Sequence, residues 1–248
     1  MDDADLVLPS AGPDPLPVGT ALAAVLGYAR GRRSLYFRAP NARTGRWVEI
    51  PAFGYERFDR RPGSAAPLGE PDILTAEGLH GRLDRGSWSA TRTSLDDVAP
   101  LADAVRDRAG GRPFGELPDD EFSVLAEPGT VGAGLRRIRE HCSEVPGVSA
   151  EHVSAALHHR RPSLFPLLSR PTRWQLLPHV REGDSGVEAV IHREVRANRA
   201  AFGVLQERVA ELLDGDTPLT VLRLHDVLLW LTATLRLSHA VALGRSNH

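Results

Sequence analysis

The 248-residue sequence contains no lysine, and all thirty of its basic residues are arginine. Without a side-chain amine it has no residue for a Schiff base or for the phosphate-gripping lysine of a Walker-type loop. Aldolase, imine-lyase, pyridoxal-phosphate and P-loop chemistries are therefore excluded. Cysteine is almost absent too. The single Cys142 allows no internal disulfide, which suits a reducing cytoplasm, the expected location. His141 is adjacent, but neighbouring helical residues point in different directions, so Cys142 reads as a packing residue rather than a nucleophile. The ten histidines form no HExxH and no Cys/His cluster, so neither a metal site nor a cofactor is expected. No apolar run reaches the ~18–20 residues that span a bilayer. The acidic, proline-rich start MDDADLVLPSAGPDPLP lacks the features of a signal peptide. A chain without membrane contact is expected, and the sequence leaves its oligomeric state open.

What is present is ordinary in amount but uneven in placement. The net charge of −2 conceals strong segregation. Arg30 to Arg61 carries nine Arg against three acids (+6), Pro62 to Leu135 six against thirteen (−7), and Arg136 to Arg181 eight against three (+5). Two basic blocks around an acidic one form an anion-binding face if the fold joins them, and an ordinary mixed surface if it does not. Tyr36, Phe37, Trp47, Phe53, Tyr55 and Phe58 crowd into the first basic block. There they either stack a planar ligand or serve as the packing face of a hairpin.

Periodicity predicts a mainly α protein with one small N-terminal β-hairpin. Residues 1–16 read as a disordered arm. Residues 17–61 read as a helix followed by a hairpin, with SLYFRAP and RWVEIP around the NARTG turn. Residues 62–240 read as a helical domain, and 241–248 as a fraying tail. Within the helical domain Thr75, Ser94, Thr130 and Ser149 are expected to open helices, Ser94 through a capping box with Asp97. REGDSG is expected to be a flexible loop. Residues 186–213 read as one amphipathic helix. The last helix, TPLTVLRLHDVLLWLTATLRL, is apolar nearly all round and is expected at the centre of the core, with Thr217 as cap and Pro218 in its first position.

Chemistry concentrates in VPGVSAEHVSAALHHRRPSLFPLLS, Val145 to Ser169. One helix ends, Pro146-Gly147-Val148 turns, and another starts at Ser149. Such a hairpin offers phosphate the turn's N–H groups and a helix N-terminus, although an ordinary helical hairpin has the same pattern. Gly147 and Ser149 are the candidate phosphate contacts, with Arg160, Arg161 and Arg173 as cationic support. His158 and His159 are candidate acid–base groups, with helix C-terminal capping as the plainer reading. Asp226 sits in the apolar last helix and is either a buried ion-pair partner of Arg223, Arg196 or Arg199 or a catalytic carboxylate, expected to border one cleft with Gly147 and the His158–Arg161 segment.

Four blocks carry a resemblance: GYERFD (Gly54 to Asp59), LTAEGL (Leu74 to Leu79), ALHHRRPSLFPLLS (Ala156 to Ser169) and LRLHDVLLW (Leu222 to Trp230). In order and spacing they resemble the actinobacterial domain-of-unknown-function family DUF6308. Its motifs run YxGRxFD, ITADDL, LLHRKRPxLIPxxD and LRxxDxxLWM. The turn and the RRPSLFP block in turn resemble helix–hairpin–helix DNA glycosylases, which implies a helix–hairpin–helix helical domain directed at nucleic acid or a nucleobase. The departures are specific. Ser149 replaces the hairpin's second glycine, Glu151 puts a negative charge in the first helical turn, and Ser169 stands where the resemblance implies an aspartate. A hydroxyl cannot stabilise a developing cation as a carboxylate does. The expectation is a degenerate glycosylase-like protein that binds nucleic acid weakly, through Arg136, Arg137, Arg160, Arg161 and Arg173. Its competitors are a small-molecule enzyme of specialised metabolism using the same helical cleft, and a non-catalytic interaction protein.

Overall fold

A computed structural model describes residues 4–64, 66–125, 128–213 and 218–246. It is mainly helical. Two short strands, β1 (Asp5–Leu6) and β2 (Leu16–Pro17), pair antiparallel at the N-terminus and lead into helix α1 (Val18–Arg30). The expected hairpin follows as β3 (Arg32–Phe37) and β4 (Arg46–Pro51), antiparallel with Tyr36 opposite Trp47. Then come α2 (Glu70–His80), α3 (Arg85–Ala109), α4 (Val131–Glu144), α5 (Ala150–Arg160), α6 (Arg170–Leu176), α7 (Val187–Ala197), α8 (Arg199–Leu212), α9 (Val221–Ala233) and α10 (Leu237–Ser246). Among the described residues no single helix is long and apolar enough to cross a membrane.

Several boundaries differ from those expected, each for a local reason. Helix α2 starts five residues before Thr75, because Asp72 accepts from the Gly69 N–H at 2.8 Å and closes the N-terminus there. Thr75 is interior and donates its hydroxyl to the Pro71 carbonyl. Ser94 likewise lies inside α3. The helix is capped upstream by Asp84, whose carboxylate accepts from the N–H groups of Gly86 (2.9 Å) and Ser87 (3.0 Å). Thr130 does cap α4, accepting from Ala133 N–H at 3.3 Å.

The N-terminal segment is not a loose arm from residue 4 onward. Leu6, Leu8 and Ser10 are buried, and Ser10 gives both its N–H (2.8 Å) and its hydroxyl (2.7 Å) to the Glu194 carboxylate. Composition misled here because a short strand bridge and one buried carboxylate anchor a proline-rich stretch. The same docking explains why the expected helix over 186–213 is two. Asn198, at the break, exchanges hydrogen bonds with the backbone of Val7, accepting at 2.7 Å and donating at 2.8 Å. The REGDSG loop is also tied down, since the Asp184 carboxylate accepts from both terminal guanidinium nitrogens of Arg193 at 3.0 Å.

Helix α9 is central, as its all-round apolarity predicts, with Leu222, Leu224, Val227, Leu228 and Leu231 all buried. Its cap is Thr220, which accepts from Arg223 N–H, so Pro218 precedes the helix; Thr217 lies outside the described residues. After α9 the chain turns by 116° into α10. The expected tail is therefore helical through Ser246, because glycines let α10 lie directly on α1. A Cβ on Gly27 would stand 1.8 Å from the Ala240 carbonyl oxygen, and one on Gly244 1.9 Å from that of Ala23.

Candidate functional site

The four sequence blocks converge on one buried arginine. Arg223, on α9, donates through Nε to Asp59 Oδ1 (2.6 Å) and through Nη2 to the Tyr28 hydroxyl (2.7 Å), and pairs through Nη1 with Asp226 Oδ2. Tyr28 in turn donates to Asp59 Oδ2 at 2.8 Å. Asp59, Arg223 and Asp226 are fixed letters of the motifs quoted above, and Leu79 and Ser169 come from the other two blocks. Two carboxylates share one guanidinium with almost no solvent, an arrangement in which every unpaired polar atom is costly. One is unpaired, since Asp226 Oδ1 has no hydrogen-bond partner among the described residues. Burial pushes the Asp226 carboxyl up to about 6, against the pull of Arg223. Burial also raises the Tyr28 hydroxyl well above its ordinary value.

Asp226 borders a small cleft of about 40 Å³ with Tyr28, Leu79, His80, Ser169 and Trp230. That volume accommodates little more than a water molecule. His80 is the residue sequence reading missed. Its Nε2 is buried without a partner among the described residues, and burial followed by the neighbouring His152 lowers its imidazole to about 3. Nothing in the sequence around His80 marks it, because α2 carries it to α9 only through the tertiary fold.

A much larger cavity, about 400 Å³, lies on the other side of Ser169. Helices α4, α5 and α6 and the 165–169 segment enclose it. Its apolar walls include Leu135, Ile138, Cys142, Val153, Leu157 and Phe165, and Trp174 stands at the wall while remaining 64% exposed. Arg139, Arg170, Arg173, Glu151 and Glu188 supply its charge. Glu188 is buried and holds Arg139 through Oε1. Burial raises the Cys142 thiol, which favours a neutral wall residue. Ser169 faces both spaces and caps α6, its hydroxyl accepting from Thr172 N–H.

The other candidates fall in three places. Gly147 makes its turn with φ +82°, but the turn lies against α3, where the Ser149 N–H donates to Thr91 Oγ1 at 3.0 Å. Glu151 accepts from the Arg170 N–H at 2.5 Å. Arg160 is a fastener: it donates to Asp72 (Nε 2.5 Å, Nη2 2.7 Å) and to the carbonyls of Ser64, Ala66 and Pro67. His158 is buried, with Nδ1 2.7 Å from the Phe165 carbonyl, and burial lowers it to about 4. His159 contacts the Arg61 carbonyl at 2.9 Å. Both histidines border a shallow groove that also contains Asp59 and Arg223, so Arg223 lies between them and the Asp226 cleft. Gly147 borders neither space, and the hairpin turn, the histidines and Asp226 do not form one cleft. Arg161 is exposed, and Arg173 reaches the large cavity. Arg196 and Arg199 turn outward to Asp119 and Glu116.

The chain belongs to the family of unknown function DUF6308, which matches residues 35–233. No curated protein and no solved structure matches it.

Proposed function

We propose that this protein binds a small, largely apolar organic molecule in the cavity between α4, α5 and α6, with Ser169 in the wall that this cavity shares with the Asp226 cleft. The carrying observation is the cavity itself. At about 400 Å³ it falls within the size range of small-ligand sites, and its largely apolar walls carry a few charged groups. Its walls come from the hairpin and the RRPSLFPLLS block, the segments that the glycosylase resemblance assigns to nucleic acid. The donor that a phosphate would need, Ser149 N–H, is already held by Thr91, and the Glu151 carboxylate lies at the helix start.

The test uses an apolar anion, anilinonaphthalene sulfonate, as probe. It should bind the native chain saturably and quench Trp174, with Trp174→Phe as the spectroscopic control. Leu168→Trp or Leu157→Trp, each filling the cavity, should abolish binding while the chain stays folded. Undiminished binding to both filled variants would sink the proposal.

A further inference from the structure

The β3–β4 ribbon stands away from the helices. No residue of either strand is buried. Its large side chains are open to solvent: Tyr36 is 51% exposed, Phe37 49% and Trp47 69%. The register sets Tyr36 directly across from Trp47, so both project from one face, with ring centroids 5.4 Å apart and planes at 64°. Gly45 N–H donates to the Tyr36 hydroxyl at 2.9 Å and holds that ring at the turn end. The aromatic crowding is therefore not a packing face for Tyr36, Phe37 and Trp47, although Phe53, Tyr55 and Phe58 are buried.

Charge selects the occupant. Between Arg32 and Pro51 there are five arginines and one acid, Glu49, in a chain whose net charge is −2. Among the described residues Arg32 alone of the five pairs with a carboxylate, Glu56 at 2.5 Å. Exposed rings interleaved with cations fit a partner that offers flat faces and regular negative charge together. Unpaired nucleobases on a phosphodiester chain do so, whereas a duplex hides the faces. We propose that the β3–β4 ribbon docks single-stranded nucleic acid, Tyr36 and Trp47 stacking bases and Arg33, Arg38, Arg43 and Arg46 meeting phosphates. This is independent of the cavity reading.

The test titrates the full chain into fluorescein-labelled oligothymidylate, with a duplex of equal length, heparin and polyglutamate as comparators. The single strand should bind best and quench Trp47. Tyr36→Thr with Trp47→Thr, which preserves strand preference, should weaken it roughly tenfold or more. Replacing the four arginines with alanine should lower the salt slope by about 0.7 for each phosphate that is no longer neutralised. Both variants should keep the parent's melting temperature and sulfonate binding. Absence of binding at low salt would overturn the proposal, as would binding indifferent to the two rings. Ring-dependent binding of polyglutamate as tight as that of the oligonucleotide would reassign the ribbon to an acidic protein. Loss of a self-association on ribbon substitution would reassign it to a second copy of this chain.

Discussion

Replacing Asp226 by Asn separates a strained acid from a stabilising ion pair. Burial raises this carboxyl from 3.8 to about 6, so the fold favours its neutral form. The sign follows directly. Stability associated with neutral Asp226 is fully present below about 4, declines as pH rises through about 6, and is absent above it. Two units correspond to roughly 3 kcal/mol. Asn keeps the shape and never ionises, so Asp226→Asn should gain on the parent by about 3 kcal/mol between pH 4 and pH 8. In a chain of this size that is a relative gain of roughly 6–12 °C in melting temperature. Urea unfolding of both proteins across that range, followed by circular dichroism, measures it. Arg223→Met is the companion, since it strands Asp59 and Asp226 in the core and should cost about 3–5 kcal/mol at neutral pH. A constant difference between Asp226→Asn and the parent at every pH would refute the reasoning, showing a carboxylate that stays ionised. A loss that grows toward high pH would show the Arg223 pair to be net stabilising.

Two further outcomes follow from the packing and from the buried imidazoles. Gly27→Ala places a methyl where the Ala240 carbonyl already lies, and should cost at least about 1–3 kcal/mol as α1 and α10 are forced apart, read as a fall in melting temperature. His80 and His158 are lowered to about 3 and about 4 from 6.5, so their contribution is fully present above 6.5 and lost as pH falls toward those values. Stability should therefore fall below pH 6.5, and His158→Gln should flatten part of that slope in the same urea series.

The legible parts of this protein were those governed by local rules. Thr130 caps α4 because its own hydroxyl reaches the helix N–H, and the β3–β4 hairpin follows from strand-type runs around NARTG. The composition of LRLHDVLLW placed α9 in the core, and Asp226 was conspicuous there because a carboxylate among leucines needs a partner; Arg223, three residues away, is that partner. What the sequence could not contain was the company each residue keeps across the chain. Asp59 and Tyr28 reach Arg223 over 164 and 195 positions, and His80 arrives beside Asp226 only because α2 packs where it does. Arg160 resembled an anion contact until Asp72, 88 residues away, occupied it. The arm read from proline and acid content is ordered from residue 4 by Glu194 and Asn198, far along the chain. Caps, turns and apolar stripes act over a few residues and are written locally. Burial, ion pairing and cavities depend on which distant surfaces meet, and only the tertiary structure decided those.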